Sequence, residues 1–243
     1  MAYPGVEELE HLRPYVELTA VAAGAISGSL HARRRGFDFV GVEAIGVASG
    51  LGGGLIRDMM LGRGPALALQ SPALLVTALV AAPIGALFGS LATRLRRTMW
   101  AIDTLALGLF AVAGLQRAEA AGLSLAPALF LGIVTTVGGG LVRDVLCRET
   151  PIVLLPGQPY AVTALLAGVV YMTALRGLGA APLTAEVLAV ASAVALRTLA
   201  AWRGWVVPTP LEVSLRMRRR LRRGSDRSND PGRGGLPGPA PSS

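Results

Sequence analysis

Apolar residues collect in seven long stretches, at about 15–32, 38–56, 72–93, 99–116, 125–142, 159–175 and 184–202, with polar residues confined mostly to the intervals. A helix needs about 20 residues to cross the hydrocarbon core, and each stretch is near that length. In lipid a single span must satisfy its own backbone, which selects helix over open strand. The pattern predicts an all-α membrane protein with seven transmembrane helices.

The stretches are not independent. Gly52 Gly53 Gly54 Leu55 Ile56 Arg57 Asp58 returns as Gly138 Gly139 Gly140 Leu141 Val142 Arg143 Asp144, an offset of 86 positions. The same offset relates Pro65 to Pro151, Gly28 to Gly114, Gly36 to Gly122, and Val76 Thr77 Ala78 Leu79 to Val162 Thr163 Ala164 Leu165. Matches held in register over this distance mark a duplicated unit. Each copy holds three spans, so the second begins on the opposite side of the membrane and the two are inverted. The expected organisation is an extracellular segment over 1–14, a three-helix repeat over 15–97, its inverted copy over 98–180, a seventh helix over 181–203, and a basic, largely disordered tail over 204–243.

Charge orients the set. Arg33, Arg34 and Arg35 follow the first span, Arg94, Arg96 and Arg97 the third, and Arg203, Arg216, Arg218, Arg219, Arg220, Arg222 and Arg223 the seventh. Seven crossings place all three clusters on one side, and the positive-inside rule makes that side cytoplasmic. The N-terminus, with Glu7, Glu8 and Glu10, is then outside, without the basic n-region of a signal peptide. Beyond Pro208 Thr209 Pro210, Leu211 to Arg223 reads as a basic helix suited to anionic lipid, and the Gly, Pro and Ser of 224–243 read as disorder.

Composition agrees with this picture. Of 243 residues 52% are hydrophobic and 16% charged, where a soluble domain carries about a quarter charged residues. Net charge is +8 and no lysine occurs. Arginine beside a final apolar span is a membrane anchor before it is a nucleic-acid site. Cys147 is the single cysteine, which excludes an internal disulfide and a cysteine metal site. His11 and His31 are too far apart to form a metal site, the carboxylates lack ligand spacing, and no hydrolase triad is visible. Neither a cofactor nor an enzyme activity is expected.

The candidate chemistry sits where the spans carry polar residues. Three consecutive glycines, Gly52 to Gly54 and Gly138 to Gly140, each weaken a helix by about 1 kcal/mol relative to alanine. They predict a break or kink, whose freed backbone groups would line a wet cavity. Close helix packing through small residues is the competing reading. Arg57 and Asp58, like Arg143 and Asp144, stand where each apolar run stops, as paired charges facing a bundle interior or as ordinary helix-end charges. Glu17 and Asp103 are again 86 apart, each just inside the first span of its repeat. At opposite mouths of a central path they would select cations; alternatively they pair with nearby arginines. Ser49, Thr135 and Thr136 precede the glycines and offer hydroxyls to an ion or to their own helix. Glu43 has no acidic counterpart, since position 129 is leucine.

The string Gly139 Gly140 Leu141 Val142 Arg143 Asp144 looks like the nucleotide loop of template-independent tRNA nucleotidyltransferases, but the carboxylate pair those enzymes need does not follow it. The doubled Gly Gly Gly Leu x Arg Asp, the proline seven residues beyond each Asp, and the run Ile102 Asp103 Thr104 Leu105 Ala106 Leu107 Gly108 Leu109 Phe110 Ala111 instead make the chain resemble the prokaryotic trimeric intracellular cation (TRIC) channel family, also labelled glycine-transporter-like. The resemblance covers about 15–202. It implies a homotrimer in the cell membrane, with a pore in each protomer bordered by the second and fifth spans and passing potassium and sodium. It makes Gly52–Gly54 and Gly138–Gly140 the kinks, and Arg57, Asp58, Arg143 and Asp144 pore or gate charges. A secondary transporter of glycine or a similar small zwitterion is the alternative.

Overall fold

The structure is a computed structural model and describes residues 6–92, 96–157 and 159–205. The side chains of Glu7, Glu8, Glu10, Arg96 and Arg97, and the whole of Arg94 and of the tail from 206, lie outside what it describes. All regular structure among the described residues is helical. In chain order the helices are α1 (Val6–Arg34), α2 (Phe39–Leu61), the one-turn α3 (Leu67–Gln70), α4 (Pro72–Ala92), α5 (Arg96–Ala120), α6 (Leu125–Leu146), α7 (Tyr160–Met172, continuing as a π turn over Thr173–Gly177) and α8 (Pro182–Arg203). A short 3-10 turn, Ile152–Leu154, stands between α6 and α7.

Five helical stretches have the length and apolarity to cross a membrane: Phe39–Leu61, Trp100–Ala120, Leu125–Leu146, Tyr160–Gly177 and Pro182–Arg203. Pro72–Leu87 of α4 is a shorter apolar stretch, and α1 is outside the set. The reason is visible in α1, whose middle is built from Ala, Gly and Ser and is buried against α2, α4 and α5. A helix surrounded by other helices needs small side chains more than greasy ones.

Packing follows the duplication. α1 lies against α2 and α4, and α5 lies against α6 and α7; contacts of α2 with α6 and of α1 with α5 join the halves, and α8 packs on α7 and α5. The turns repeat as well. Gly36 and Gly122 close the ends of α1 and α5 with φ of 79° and 73°, a left-handed backbone that glycine adopts without strain. Asp38 caps α2 by accepting a hydrogen bond from the Gly41 amide at 2.7 Å. The outward faces of α4, α7 and α8 expose Val76, Leu79, Val162, Leu165, Leu183 and Val187, the surface expected of helices solvated by lipid.

Candidate functional site

The site begins where α2 crosses α6. A β-carbon placed on Gly53 would lie 2.1 Å from the carbonyl oxygen of Thr135, and one on Gly139 would lie 2.5 Å from that of Ser49. The neighbours of Gly52 include Val142, while those of Gly138 include Ile56, so higher numbers on one helix meet lower numbers on the other. The two helices run antiparallel through their crossing. Both are helical throughout, over Phe39–Leu61 and Leu125–Leu146, so of the expected break or kink the helices show no interruption at the glycines. Packing outweighs propensity here: a few kcal/mol of lost helix preference is offset by backbone-to-backbone contact that no larger residue permits. The third glycines differ, since β-carbons on Gly54 and Gly140 would meet nothing nearer than 3.8 and 3.7 Å.

One turn beyond the glycines each helix presents its arginine. Arg57, 3% exposed, donates from Nε to Asp58 Oδ1 and from Nη1 to Glu17 Oε1, both at 2.8 Å. Arg117 of α5 approaches the same Glu17 oxygen at 3.3 Å. The second Asp58 oxygen accepts the Leu67 amide at 2.7 Å, fixing the loop after α2. In the other half Arg143, 5% exposed, donates from Nε to Asp144 Oδ1 at 2.8 Å and from Nη1 to Asp103 Oδ1 at 3.3 Å. The second Asp144 oxygen accepts the Ile152 amide at 2.9 Å. The two clusters share one design: a carboxylate on α1 or α5, an Arg–Asp pair ending α2 or α6, and a loop amide.

Each cluster also recruits a second arginine that the repeat did not announce. In the first it is Arg117. In the second it is Arg197 of α8, whose Nη1 donates to Asp103 Oδ2 at 2.9 Å and whose guanidinium lies 5.0 Å from the Tyr160 ring centroid and 5.7 Å from that of Trp100. Both clusters are therefore electroneutral sets of two acids and two arginines. Ser27 joins the second, donating to Asp103 Oδ1 and accepting from Arg143, each at 3.3 Å.

The hydroxyls turn inward on their helices. Thr135 donates to the Leu131 carbonyl at 2.7 Å and Thr136 to that of Gly132 at 2.8 Å, so neither offers a free proton to a passing ligand. Ser49 is buried beneath Gly28. Glu43 is half-buried on α2.

Sequence spacing also hid a contact between distant residues. His31 Nε2 meets Glu149 Oε2 at 2.8 Å, and with Asp144 the three place ligand atoms within 4.8 Å of one another. That set has metal-binding residue types, but Arg35 is paired to Glu149 and Arg143 to Asp144. Its charge is already balanced by arginine.

A cavity of about 250 Å3 opens beside the first cluster, lined by Arg13, Glu17, Leu67, Gln116 and Arg117 among others. Glu17, Leu67 and Leu74 also line a second space of about 20 Å3 that reaches past Arg57 to Gly50, Gly54 and Phe110.

With this geometry in view, the relatives are informative. The family model described as "Glycine transporter" matches twice, over residues 15–90 and 100–176. The chain is 37% identical over 154 residues to a UPF0126 membrane protein of Deinococcus radiodurans, covering 63% of this chain and 72% of that one. It is 35% identical over 161 residues to the UPF0126 inner membrane protein YadS of Escherichia coli (strain K12), covering 66% and 77%. Among solved structures it matches the TRIC trimeric intracellular cation channel orthologue from Rhodobacter sphaeroides with a TM-score of 0.73 and 30% identity, over 79% of this chain and 98% of that one. A prokaryotic TRIC channel crystallised in 0.5 M KCl matches with a TM-score of 0.72 and 26% identity, over 82% and 100%. Matched over 15–90 and again over 100–176 by the family model, and over about four fifths of its length by the solved channels, the chain belongs to the glycine-transporter family of membrane proteins and has the fold of the TRIC cation channels.

Proposed function

We propose that the protein is a monovalent cation channel of the cell membrane, passing potassium and sodium along a path inside each protomer bordered by α2 and α6. The observation that carries this reading is the pair of matched charged clusters flanking the α2–α6 glycine crossing. Buried charge in a membrane fold is costly and is kept where ions or protons must pass. Glu17 and Asp103 supply the negative charge that favours cations, and Arg57, Asp58, Arg143 and Asp144 hold or release it. The likeness to TRIC channels supports the same reading and a homotrimer of such protomers.

In this reading seven helices cross the bilayer: α1, α2, α4, α5, α6, α7 and α8. The antiparallel meeting of α2 with α6 supports inverted repeats. Arg33, Arg34 and Arg35 then face the cytoplasm together with the basic tail, which rests on anionic lipid, and the N-terminus is outside.

A second reading, transport of glycine or a similar zwitterion, rests on the 250 Å3 cavity, where Arg13 and Arg117 could take a carboxylate and Glu17 and Gln116 an ammonium. The deciding experiment is current across a planar bilayer holding the purified protein under a potassium chloride gradient. Discrete steps reversing near the potassium potential support the channel. A silent bilayer, with labelled glycine accumulating in matched liposomes, overturns it in favour of the transporter.

A further inference from the structure

Three contacts run in order along the seam between α1 and α5. Arg117 meets Glu17, Phe110 meets Gly24, and Asp103 meets Ser27. Numbers rise on α1 as they fall on α5, so the helices are antiparallel and the Phe110 contact lies between the two charged clusters. From Glu17 to Ser27 is ten residues, about 15 Å of helix at 1.5 Å per residue. The ring occupies the interval.

Its seat is specific. A β-carbon on Gly24 would fall 2.9 Å from Phe110 Cε2, 3.0 Å from its Cζ and 3.1 Å from the Gly50 Cα, so the ring rests in a notch made by two glycines. Gly24 and Phe110 are themselves 86 positions apart. The duplicated unit thus places, at one pair of equivalent positions, the smallest residue in one copy and a large aromatic in the other, and the aromatic fills the space the glycine leaves. Phe110 is 6% exposed and its buried neighbours are Ala20, Ala23 and Ala106, a dry wall of methyl groups. Two spaces lie on its Glu17 side: one of about 250 Å3 lined by Glu17 and Arg117, and one of about 20 Å3 lined by Glu17 and Phe110. The smaller space holds about one water.

We infer that Phe110 is the apolar barrier of the path, a ring lodged between two neutral charged clusters that keeps the interval dry until it moves. This rests on the channel reading and adds to it the residue that limits flow. An apolar constriction a single side chain wide blocks ions because a hydrated cation cannot enter a space that water leaves. Opening requires the ring to leave this seat, after which the charged clusters hand a cation from Glu17 to Asp103.

The test measures potassium current through wild type, F110A, F110Y and G24A in planar bilayers, with trimer integrity followed by size-exclusion chromatography. F110A is expected to raise current at fixed voltage roughly tenfold, as for removal of one steric and dewetting barrier. F110Y, which keeps the ring and adds a hydroxyl that holds water, should raise it severalfold, and G24A, which presses a methyl on the ring, should lower it. A ring that served only packing would give loss of protein or unchanged current, never a gain. Intact F110A and F110Y trimers with wild-type conductance and open probability overturn the barrier. If F110A does not assemble, F110Y and G24A decide by the same signs. A silent wild type instead removes the channel reading itself, so the two failures are distinguishable.

Discussion

Arg57 and Arg143 do the same work in the two halves of the fold: each is held along its own helix by the next residue, Asp58 or Asp144, and across the bundle by Glu17 or Asp103. Burying a guanidinium is tolerable here because two carboxylates surround it, and removing one partner leaves a charge without compensation. E17Q and D103N should each lose about 3 kcal/mol or more of stability, read as a lower melting temperature of the purified protein. E17Q combined with R57Q should lose less than the sum of the two single changes, which a double-mutant cycle measures.

The same acids are predicted to set selectivity. With Glu17 or Asp103 neutralised each cluster carries a net positive charge, so potassium should be favoured less over chloride. Under a potassium chloride gradient the reversal potential of E17Q or D103N should move away from the potassium potential. An unmoved potential would assign these acids to structure alone.

The three glycines of each motif are predicted to differ in a way their sequence does not announce. G53A and G139A thrust a methyl into a carbonyl oxygen at 2.1 and 2.5 Å and should abolish the assembled protein. G54A and G140A meet nothing nearer than 3.7 Å and should fold, gaining up to about 1 kcal/mol of helix preference each. Expression and thermal melting of the four variants separate the cases. If the glycines served as flexible joints, G54A would impair conduction as severely as G53A.

What the sequence made legible was whatever the duplication repeats. The offset of 86 picked out both glycine triplets, both Arg–Asp pairs and the two acids they meet, because a duplicated unit keeps its spacing. The continuity of α2 and α6 was not legible, since helix propensity ranks glycine as a breaker and cannot see the facing backbone that accepts it. Arg197 was hidden because α8 lies outside the repeat, and Arg117 because its counterpart 86 positions earlier is His31 and not an arginine. The meeting of His31 with Glu149 needed the fold, since 118 positions separate them.

Asp58 and Asp144 have a second task, which predicts a local effect. Their outer oxygens accept the amides of Leu67 and Ile152 and so tie the loops that begin near Pro65 and Pro151 to the helix ends. D144A should release the loop around Ile152 and raise hydrogen exchange there while leaving the middle of α6 protected. D144N retains an acceptor for the amide and should leave exchange at Ile152 nearer to wild type, at about 1 kcal/mol of cost from the weakened arginine contact.

Arg197 supports a prediction of opposite sign to that for Asp103. It neutralises one oxygen of Asp103 from a helix outside both repeats, and the rings of Tyr160 and Trp100 hold it there. In R197Q the second cluster becomes net negative, with Asp103 and Asp144 facing Arg143 alone. A cation then meets a stronger attraction, so the reversal potential should shift toward the potassium potential, while D103N shifts it away. R197K keeps the charge but loses the guanidinium's contact with the rings, and should preserve selectivity while costing about 1 kcal/mol of stability. Equal reversal potentials for R197Q and wild type would show that α8 merely packs beside the cluster and does not tune it.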